Sequence, residues 1–373
     1  MTRRGHGEGT VYRRADGRWE AALQVDGRRR RWAARTRAEV AGQLAAAQHA
    51  TAQGLPMPGA RTAVAEFLDR WLEAVEPHLR PRSLQHYRYF AAMISGELGA
   101  LKLARLGPAE VGAMLTRLRD RGLSPRTCAH ARAVLRTALN DAEKWGLVSR
   151  NVARLADPPR VPRPAPKTLP PAEVNRMLAA VRQTDVGHLV AVALHTGMRQ
   201  GELLGLRWSD LDLAKRQLTV GASLQRLGSE SALVEPKSEH SRRTLRLSAP
   251  ALEALQAERQ RQLEAKLAAG PAWQPTIAGL VFTDRLGAPL VGTTVTHAFQ
   301  RTLRAAGLAP LRFHHLRHLF GGLMLGSGVD LATVSHMLGH SSVALTASTY
   351  AGVLPSLRDD AVERFERFLS QPT

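Results

Sequence analysis

The stretch that says most about this chain is HHLRHLFGGLMLGSGVDLATVSHMLGHSSVALTASTY, residues 314–350. It opens with HHLRH, continues through LGH at 338–340 and ends on a lone tyrosine, Tyr350. A second cationic motif, TGMRQGE, lies upstream at 196–202. Fixed cations beside a hydroxyl suit attack on a phosphodiester, because the phosphate must be neutralised and the leaving oxygen protonated.

The segments around these motifs predict a mainly helical domain with a small sheet, at 172–373 and including a C-terminal tail. Its elements follow from helical spacing of apolar residues and from short alternating runs. The predicted helices are 171–182, 187–195, 200–206, 249–268, 293–306, 312–326, 330–338 and 342–349, and the predicted strands are 217–220, 232–235 and 244–247.

The motif residues have chemistry that fits phosphate. A guanidinium fork matches phosphate geometry and keeps its charge, so Arg199 and Arg317 are suited to clamp the non-bridging oxygens. His314 lies within one helical turn of Arg317 and can reach the same phosphate. Lys237, in a polar hairpin tip, can give a proton to the leaving oxygen. Tyr350 needs such help, since at pH 7 only about one phenol in a thousand is ionised.

Composition points to a polyanionic partner. The 373 residues carry 52 Lys+Arg against 32 Asp+Glu, a formal charge of +20, and the pI is near 11.4. Such an excess favours nucleic acid as the partner. We find no apolar run of the ~18 residues needed for a membrane span and no signal peptide. The single cysteine, Cys128, excludes an internal disulfide and is expected to be a small buried helix residue. We expect a cytoplasmic protein without a membrane partner.

The first 55 residues predict a small separate domain. Strand candidates at 9–14, 19–25 and 28–33 are separated by Asp-Gly turns, which favours a three-stranded antiparallel sheet. A capping box at 36–39 opens a helix to about residue 53. The strands are rich in arginine beside aromatic residues, which favours DNA contact over a merely solvated face. The DNA-contact candidates here are Arg13, Arg14, Arg28, Arg29 and Arg30.

Residues 60–152 predict a second, all-helical domain. Val64, Phe67 and Trp71 begin a buried stripe, Ser83 is a candidate cap, and Ser124-Pro125 starts a long helix. Arg126 and Arg132 on that helix either line DNA or face water. A linker follows at 158–171, where seven of fourteen residues are proline; such a segment is extended. Its Arg163 is a further DNA-contact candidate.

The motifs together resemble the tyrosine recombinases of the phage and mobile-element integrase family. The matching text is TGMRQGELLGLRWSDLD, PKSEHSRRTLRL, HHLRH and VDLATVSHMLGHSSVALTASTY. The resemblance covers nearly the whole chain and implies a multidomain, mainly helical protein with small β-sheets. The domain at 1–55 would be an arm-type DNA-binding domain, 60–152 a core-type DNA-binding domain, and 172–373 the catalytic domain.

The resemblance implies a role for each motif residue. Tyr350 would attack the phosphate and form a 3′-phosphotyrosyl link. Arg199 and Arg317 would hold the scissile phosphate, with His340 as a further donor. Lys237 would be the general acid, His314 its acid/base partner, and Glu202 would orient the cations. No cofactor or metal is implied. The chain departs from the family at His315 and Leu319, and Gly321-Gly322 predicts a loosened helix.

The same resemblance implies the partners and the setting. Double-stranded DNA with attachment sites would be cut by a homo-tetramer, to integrate or excise a phage or mobile element. An accessory DNA-bending protein and an excision factor are possible helpers, in the nucleoid of a bacterial host. Two other readings stay open: a DNA-binding or architectural protein with lapsed catalysis, and a topoisomerase of related chemistry. A zinc site made from the motif histidines is disfavoured, because neither an HExxH pattern nor a second cysteine is present.

Overall fold

The computed structural model describes residues 9–25, 28–52, 62–162, 169–228, 230–235 and 242–351, together with Glu366 and Ser370. The chain divides into two compact units, Met1–Arg163 and Pro164–Thr373. The division falls inside the proline-rich segment 158–171, where proline removes backbone donors and disfavours regular structure. The domain boundary predicted between residues 55 and 60 lies outside the described residues and stays a prediction.

Unit 1 begins with the predicted three-stranded sheet. Its strands are antiparallel in the order β1-β2-β3, with Ala21 opposite Trp32. A helix packs on one face and completes a small core with Ala21, Leu23 and Val40. The predicted capping box is confirmed, because Thr36 and Glu39 exchange side-chain to backbone hydrogen bonds. The elements are β1 Thr10–Arg13, β2 Trp19–Val25, β3 Arg28–Ala34 and α1 Arg37–Ala52.

The rest of unit 1 is helical, as predicted, and has a separate core. Trp71 lies fully buried in it, stacked on Tyr87 and donating from Nε1 to Asp141 at 2.9 Å. Cys128 is buried, as expected. The predicted cap at Ser83 is wrong, because proline at the first helical position starts that helix earlier. The helices are α2 Val64–Val75, α3 Pro81–Leu98, α4 Pro108–Asp120 and α5 Pro125–Lys144.

Unit 2 is the predicted mixed domain, built on one large apolar core. Its helices all lie within three residues of the predicted bounds. They are α6 Pro171–Val181, α7 Gly187–Thr196, α8 Gln200–Leu204, α9 Ala249–Ala269, α10 Gly292–Ala305, α11 His315–Gly326, α12 Leu331–Leu338 and α13 Val343–Thr349.

The strands of unit 2 form two sheets, whereas the sequence predicted one small sheet. The strand expected at 232–235 pairs with a strand that the sequence did not predict, as a separate antiparallel hairpin. The other sheet has the order β4-β5-β8 and sits on the core through Leu218 and Leu245. The strands are β4 Leu211–Asp212, β5 Gln217–Val220, β6 Ser223–Leu227, β7 Glu230–Val234 and β8 Arg243–Arg246.

Unit 2 therefore brings four chain segments to one place. They are the turn between α7 and α8, the inner face of β8, the first half of α11, and the region from the end of α12 through α13. Across the described residues, none of the helices combines the length and apolar character that a bilayer crossing requires.

Candidate active site

Arg199 is placed by the sharp turn between α7 and α8. Gly197 ends α7 in the left-handed region, φ 63°, which glycine adopts without strain. Arg199 then caps α8, where its backbone N–H donates to Glu202 at 3.0 Å. Its guanidinium donates to Glu202 at 2.7 Å and to the Gly339 carbonyl at 3.0 Å. The side chain is 40% exposed, so part of the fork can still meet a ligand.

Arg317 lies in the first turn of α11 and is buried. Its Nη1 donates to the carbonyl of Gly197 at 2.8 Å, and its Nη2 donates to the carbonyl of Leu338. Burial, with Arg199 nearby, lowers the pKa of Arg317 to about 9. The guanidinium therefore keeps its charge at neutral pH, held between the two segments that carry Arg199 and His340.

Glu202 is the shared anion of this cluster. It is 6% exposed and accepts from Arg199 and, at 3.0 Å, from Nη2 of Arg243. Burial alone would raise the pKa of Glu202, but the two guanidinium groups hold it below its ordinary value. The carboxylate therefore stays ionised and bonds to both arginines, while its orienting role stays a prediction.

Arg243 is a site residue that sequence reasoning missed. Its side chain is 0% exposed, on the inner face of β8 beside Leu245. Alternation along the strand was the available signal, because residues 243, 245 and 247 share one face. An arginine on a face otherwise made of leucine needs a buried partner, and Glu202 is that partner.

His340 follows the left-handed Gly339, φ 63°, which ends α12 and turns the chain. His340 Nδ1 lies 2.7 Å from the hydroxyl of Thr346, which is fully buried in α13. Burial is the largest cause that lowers the pKa of His340 to about 4, and the charges of Arg317 and Arg199 contribute to the lowering. The imidazole is therefore neutral in the free chain. A bound anion would favour its protonated form.

His314 stands at the cap of α11, one residue before the helix, rather than inside it as predicted. Partial burial of its ring and the neighbouring His318 and Arg317 lower the pKa of His314 to about 4. Its ring meets His318 edge to face, with centroids 5.0 Å apart. Nδ1 of His318 is buried and has no hydrogen-bond partner among the described residues. Within that part of the chain no cluster of three or more His, Cys, Asp and Glu side chains could hold a metal ion.

Tyr350 closes α13 and is 1% exposed. Its ring packs edge to face on His318, centroids 6.2 Å apart, and its hydroxyl lies 3.5 Å from the carbonyl oxygen of Arg317. Burial raises the pKa of Tyr350 to about 12, although Arg317 opposes the rise. About one phenol in 10⁵ is therefore ionised at pH 7, a hundredfold fewer than for an exposed tyrosine.

Gly321 explains how the phenol fits so close to α11. A Cβ on Gly321 would lie 2.2 Å from the Tyr350 hydroxyl, far inside contact distance. The expectation that Gly321-Gly322 loosens the helix is therefore wrong for Gly321. That glycine is buried and forms the floor on which the ring rests.

The remaining predicted residues divide by what surrounds them. Lys237 and Arg163 lie outside the described residues, and so does the side chain of Arg28. Arg29, Arg30 and Arg126 are exposed. Three others already have protein partners: Arg13 donates to the Gly17 carbonyl, Arg14 pairs with Glu20, and Arg132 donates to the Ala156 carbonyl at 2.7 Å. Their contact with DNA stays a prediction.

The geometry gathers Arg199, Arg317, His340 and Tyr350, with His314 linked to the tyrosine through His318. Guanidinium groups and imidazoles converge near one phenol, and the buried carboxylate of Glu202 is bonded to two arginines. Such a site attracts a phosphate and offers an oxygen nucleophile to it.

Comparison with protein families identifies the same region. The family described as the phage integrase family matches residues 167–356. The match spans α6 through α13 and includes each catalytic candidate.

Two relatives extend the likeness over most of the chain. The chain is 28% identical over 323 residues to a tyrosine recombinase XerC-like protein of Caldanaerobacter subterraneus subsp. tengcongensis, covering 80% of this chain and 81% of the relative. It is 30% identical over 336 residues to an integrase of Streptomyces ambofaciens, covering 86% of this chain and 84% of the relative.

Solved structures share the fold. The Tn1549 transposon integrase in complex with transposon right end DNA superposes with a TM-score of 0.69 at 19% identity, over 81% of this chain and 99% of that one. A lambda integrase tetramer bound to a Holliday junction superposes with a TM-score of 0.58 at 19% identity, over 93% and 96%. Family match, relatives and fold agree, and the chain therefore belongs to the phage integrase family and is a tyrosine site-specific recombinase.

Proposed function

We propose that Tyr350 is the nucleophile and that it cuts one DNA strand through a 3′-phosphotyrosyl intermediate. The phenol oxygen forms a bond to phosphorus, and the bond from phosphorus to the 5′ oxygen breaks. The tyrosine gives its proton to neutral His314, the proposed general base, and the leaving 5′ oxygen gains a proton from Lys237. Rejoining reverses these steps with the 5′ oxygen of a new partner, so the bond energy is kept and no nucleotide is consumed.

The observation that carries this proposal is that Arg317 lies beside the Tyr350 phenol and that Arg199 is held at the same turn as Arg317. Arg199 and Arg317 are fixed by backbone carbonyls of the same turn, since Gly339 accepts from one and Leu338 from the other. Two rigid forks can neutralise the charge that develops on the non-bridging oxygens. His340 is the further proposed phosphate donor, and His314 is the proposed acid/base partner in the proton transfers of the reaction.

The buried phenol sets an order of events. Tyr350 lies on Gly321 with its hydroxyl near the Arg317 carbonyl, where its raised pKa disfavours attack. DNA binding brings a phosphate to the cations, and the ring must then leave this position to reach phosphorus. The free protein is thus protected from attacking unsuitable phosphodiesters.

The substrate and assembly follow from family membership. Double-stranded DNA is the partner, at attachment sites that the enzyme joins to integrate or excise a mobile element or phage genome. A homo-tetramer is the proposed assembly, supported by the fold shared with the lambda integrase tetramer on a Holliday junction. The reaction is proposed for the cytoplasm of a bacterial host, at its nucleoid, with a DNA-bending protein and an excision factor as accessory partners.

Tyr350→Phe tests the nucleophile. The substrate is a nicked duplex that carries the attachment site, and this site is identified by sequencing joined DNA from cells that express the protein. On this duplex the wild-type protein should form a covalent protein–DNA adduct that survives SDS. The phenylalanine variant should bind the duplex with nearly the same Kd and give no adduct, because only one hydroxyl is lost. Gel separation of the denatured mixture measures this.

Thr349→Val is the matched control for that experiment. Thr349 is half-buried and precedes Tyr350, and its hydroxyl donates to the Leu345 carbonyl of its own helix, so its variant should form the adduct. Adduct formation by the Phe variant would disprove the assignment. If wild type binds the site yet never forms an adduct, the chain is a binding protein with lapsed catalysis.

A further inference from the structure

Arg243 is a fully enclosed cation beside the site. It stands on β8 with its side chain 0% exposed, against Glu202 with 7% exposed. An arginine so deep cannot reach DNA from that position. Its charge must therefore act on other groups of the protein, and its contacts with the described residues identify some of them.

Those contacts join three segments. Nε donates to the carbonyl of Met337 at 2.7 Å, near the end of α12. Nη2 donates to Glu202 in α8 at 3.0 Å. Nη1 lies against the turn itself, since a Cβ on Gly339 would come within 2.8 Å of it. One planar group thus fixes α8 and the turn before His340 relative to β8.

The contacts close into a ring through Arg199. Glu202 binds Arg199 at 2.7 Å, and Arg199 in turn donates to the Gly339 carbonyl at 3.0 Å. The order around the ring is Arg243, Glu202, Arg199 and Gly339, and then Arg243 again by packing. A shift of any member changes the distance between Arg199 and His340, which follows Gly339 directly.

We propose that Arg243 is a positioning residue that sets the spacing between the Arg199 guanidinium and the His340 imidazole. The inference rests on the proposed function, in which both groups hold one phosphate. A guanidinium is required because its planar fork reaches Met337 and Glu202 at once, which a single ammonium cannot do. Displacement of catalytic groups by about 1 Å can slow a reaction about 100-fold.

The burial of the Arg243–Glu202 ion pair does not by itself explain why residue 243 is an arginine. Replacing a buried ion pair with apolar groups is often neutral for folding, so stability does not demand an arginine here. The position of the residue explains the arginine, because Arg243 contacts the two segments that carry the proposed phosphate ligands Arg199 and His340. The pair Arg243–Glu202 also leaves Arg199 partly exposed while holding its far side.

The test uses the full chain with Arg243→Lys, Arg243→Met, and Arg243→Met combined with Glu202→Gln. Single-turnover adduct formation on the nicked attachment-site duplex gives the rate constant, and titration of the same duplex gives Kd. We expect Kd to stay within about twofold of wild type, because a buried residue makes no DNA contact. We expect the rate to fall about 100-fold in the Met variant and about 10-fold in the Lys variant.

The double variant separates positioning from folding. It removes the Glu202 charge, which Arg243→Met leaves buried with one guanidinium partner, Arg199, in place of two. Its thermal midpoint should therefore recover toward that of wild type, while its cleavage stays slow. Recovery of both properties would mean that Arg243 only stabilises the fold, and would overturn the inference. If the Met variant does not fold, the Lys and double variants decide in the same way.

Arg246→Met is the matched control. Arg246 lies on the same strand with its side chain exposed, so this variant loses the same charge and should cleave at the wild-type rate. Wild-type cleavage by Arg243→Met would also overturn the inference. A wild type and an Arg246→Met that both fail to form adduct would instead disprove the proposed function.

A spectroscopic readout is independent of activity. His340 is faced by Arg317, Arg199, His318 and Arg243, each of which lowers its pKa. Loss of the Arg243 charge should therefore raise the His340 pKa in the free protein, followed by NMR titration of the ring. An unchanged His340 titration in Arg243→Met would show that the two groups are not coupled.

Discussion

At the scale of residues, the site concentrates positive charge, and its histidines His314 and His340 are neutral in the free protein. Arg199, Arg243 and Arg317 lie around a single carboxylate, Glu202. Their field, added to burial, lowers the pKa of His340, and similar causes lower that of His314. A bound phosphate dianion or diester reverses this balance, since an anion favours the charged imidazole.

The histidines make the stability of the protein depend on pH. In an unfolded chain the pKa of histidine is about 6.5, whereas His314 and His340 have folded values of about 4. Between these values the unfolded chain binds more protons, so the free energy of unfolding falls as the pH drops from about 6.5 toward 4. We expect the thermal midpoint to decline over this window, and to decline less in a His314→Gln, His340→Gln double variant.

Scanning calorimetry at several pH values measures this difference. His297→Gln is the control, because His297 is exposed on α10 and apart from the cations; it should follow wild type. A double variant with the same pH dependence as wild type would contradict the lowered pKa values.

At the scale of elements, α11 is shaped to receive α13. Phe320 and Leu325 of α11 enclose Tyr350 together with Val334 and Leu338, and Gly321 supplies the space for its hydroxyl. The ring is therefore held by apolar packing and one weak polar contact. These contacts hold Tyr350, the proposed nucleophile, in place and are weak enough to let it leave.

Gly321→Ala should dislodge the tyrosine. The new methyl group would lie 2.2 Å from the hydroxyl, so the ring must move or the helices must separate. We expect a loss of about 1–3 kcal/mol of unfolding free energy, as for other overpacked sites, with greater nitration of Tyr350 by tetranitromethane. Denaturant unfolding and peptide mass spectrometry measure the two effects.

Gly326→Ala is the control on the same helix, because nothing lies within 4 Å of its Cβ position. It should neither lower the stability by a comparable amount nor expose Tyr350. If Gly321→Ala leaves both stability and nitration unchanged, the ring does not rest on Gly321 in solution.

Most elements could be predicted from the sequence because each has a local signal. Proline at the first position and helical spacing of apolar residues locate α4 and α5, and Asp-Gly turns delimit β1 to β3. Strand β6, with the sequence SLQRL, has no comparable signal, since its structure depends on pairing with β7. Ser83 was misread because Pro81 starts α3 without needing a side-chain cap.

The candidate site divides in the same way. Arg199, Arg317, His340 and Tyr350 come together as the motifs predict. Arg243 was missed because its partner Glu202 lies 41 residues away in sequence, and no local pattern records a pairing over that distance. The effect of Gly321 was misjudged for the same reason, since its neighbour Tyr350 belongs to another helix.

At the scale of the whole molecule, the charge of +20 governs how the protein meets DNA. Each phosphate neutralised by Lys or Arg releases condensed counterions. If ~8 phosphates are neutralised per protomer, log K should fall against log salt with a slope of about −7. Fluorescence anisotropy with a labelled duplex at several salt concentrations measures the slope.

A flat salt response would contradict the proposed basic surfaces. Arg126→Ala, an exposed candidate at the start of α5, should reduce the steepness of the slope by about one if it contacts a phosphate. Arg132→Ala is a useful comparison, because Arg132 already donates to the Ala156 carbonyl. Its main effect should be on stability rather than on the slope.

Helix α13 has a mechanical consequence. It is 7 residues long, too short to persist without tertiary packing. The backbone N–H of Tyr350 bonds to the Thr346 carbonyl, and the Thr346 hydroxyl bonds to His340. Local unfolding of these two turns would move the Tyr350 phenol outward by a short length of chain, while the large core of unit 2 keeps its structure. The same motion would free the His340 ring, so that the proposed nucleophile and the proposed phosphate ligand would become available together.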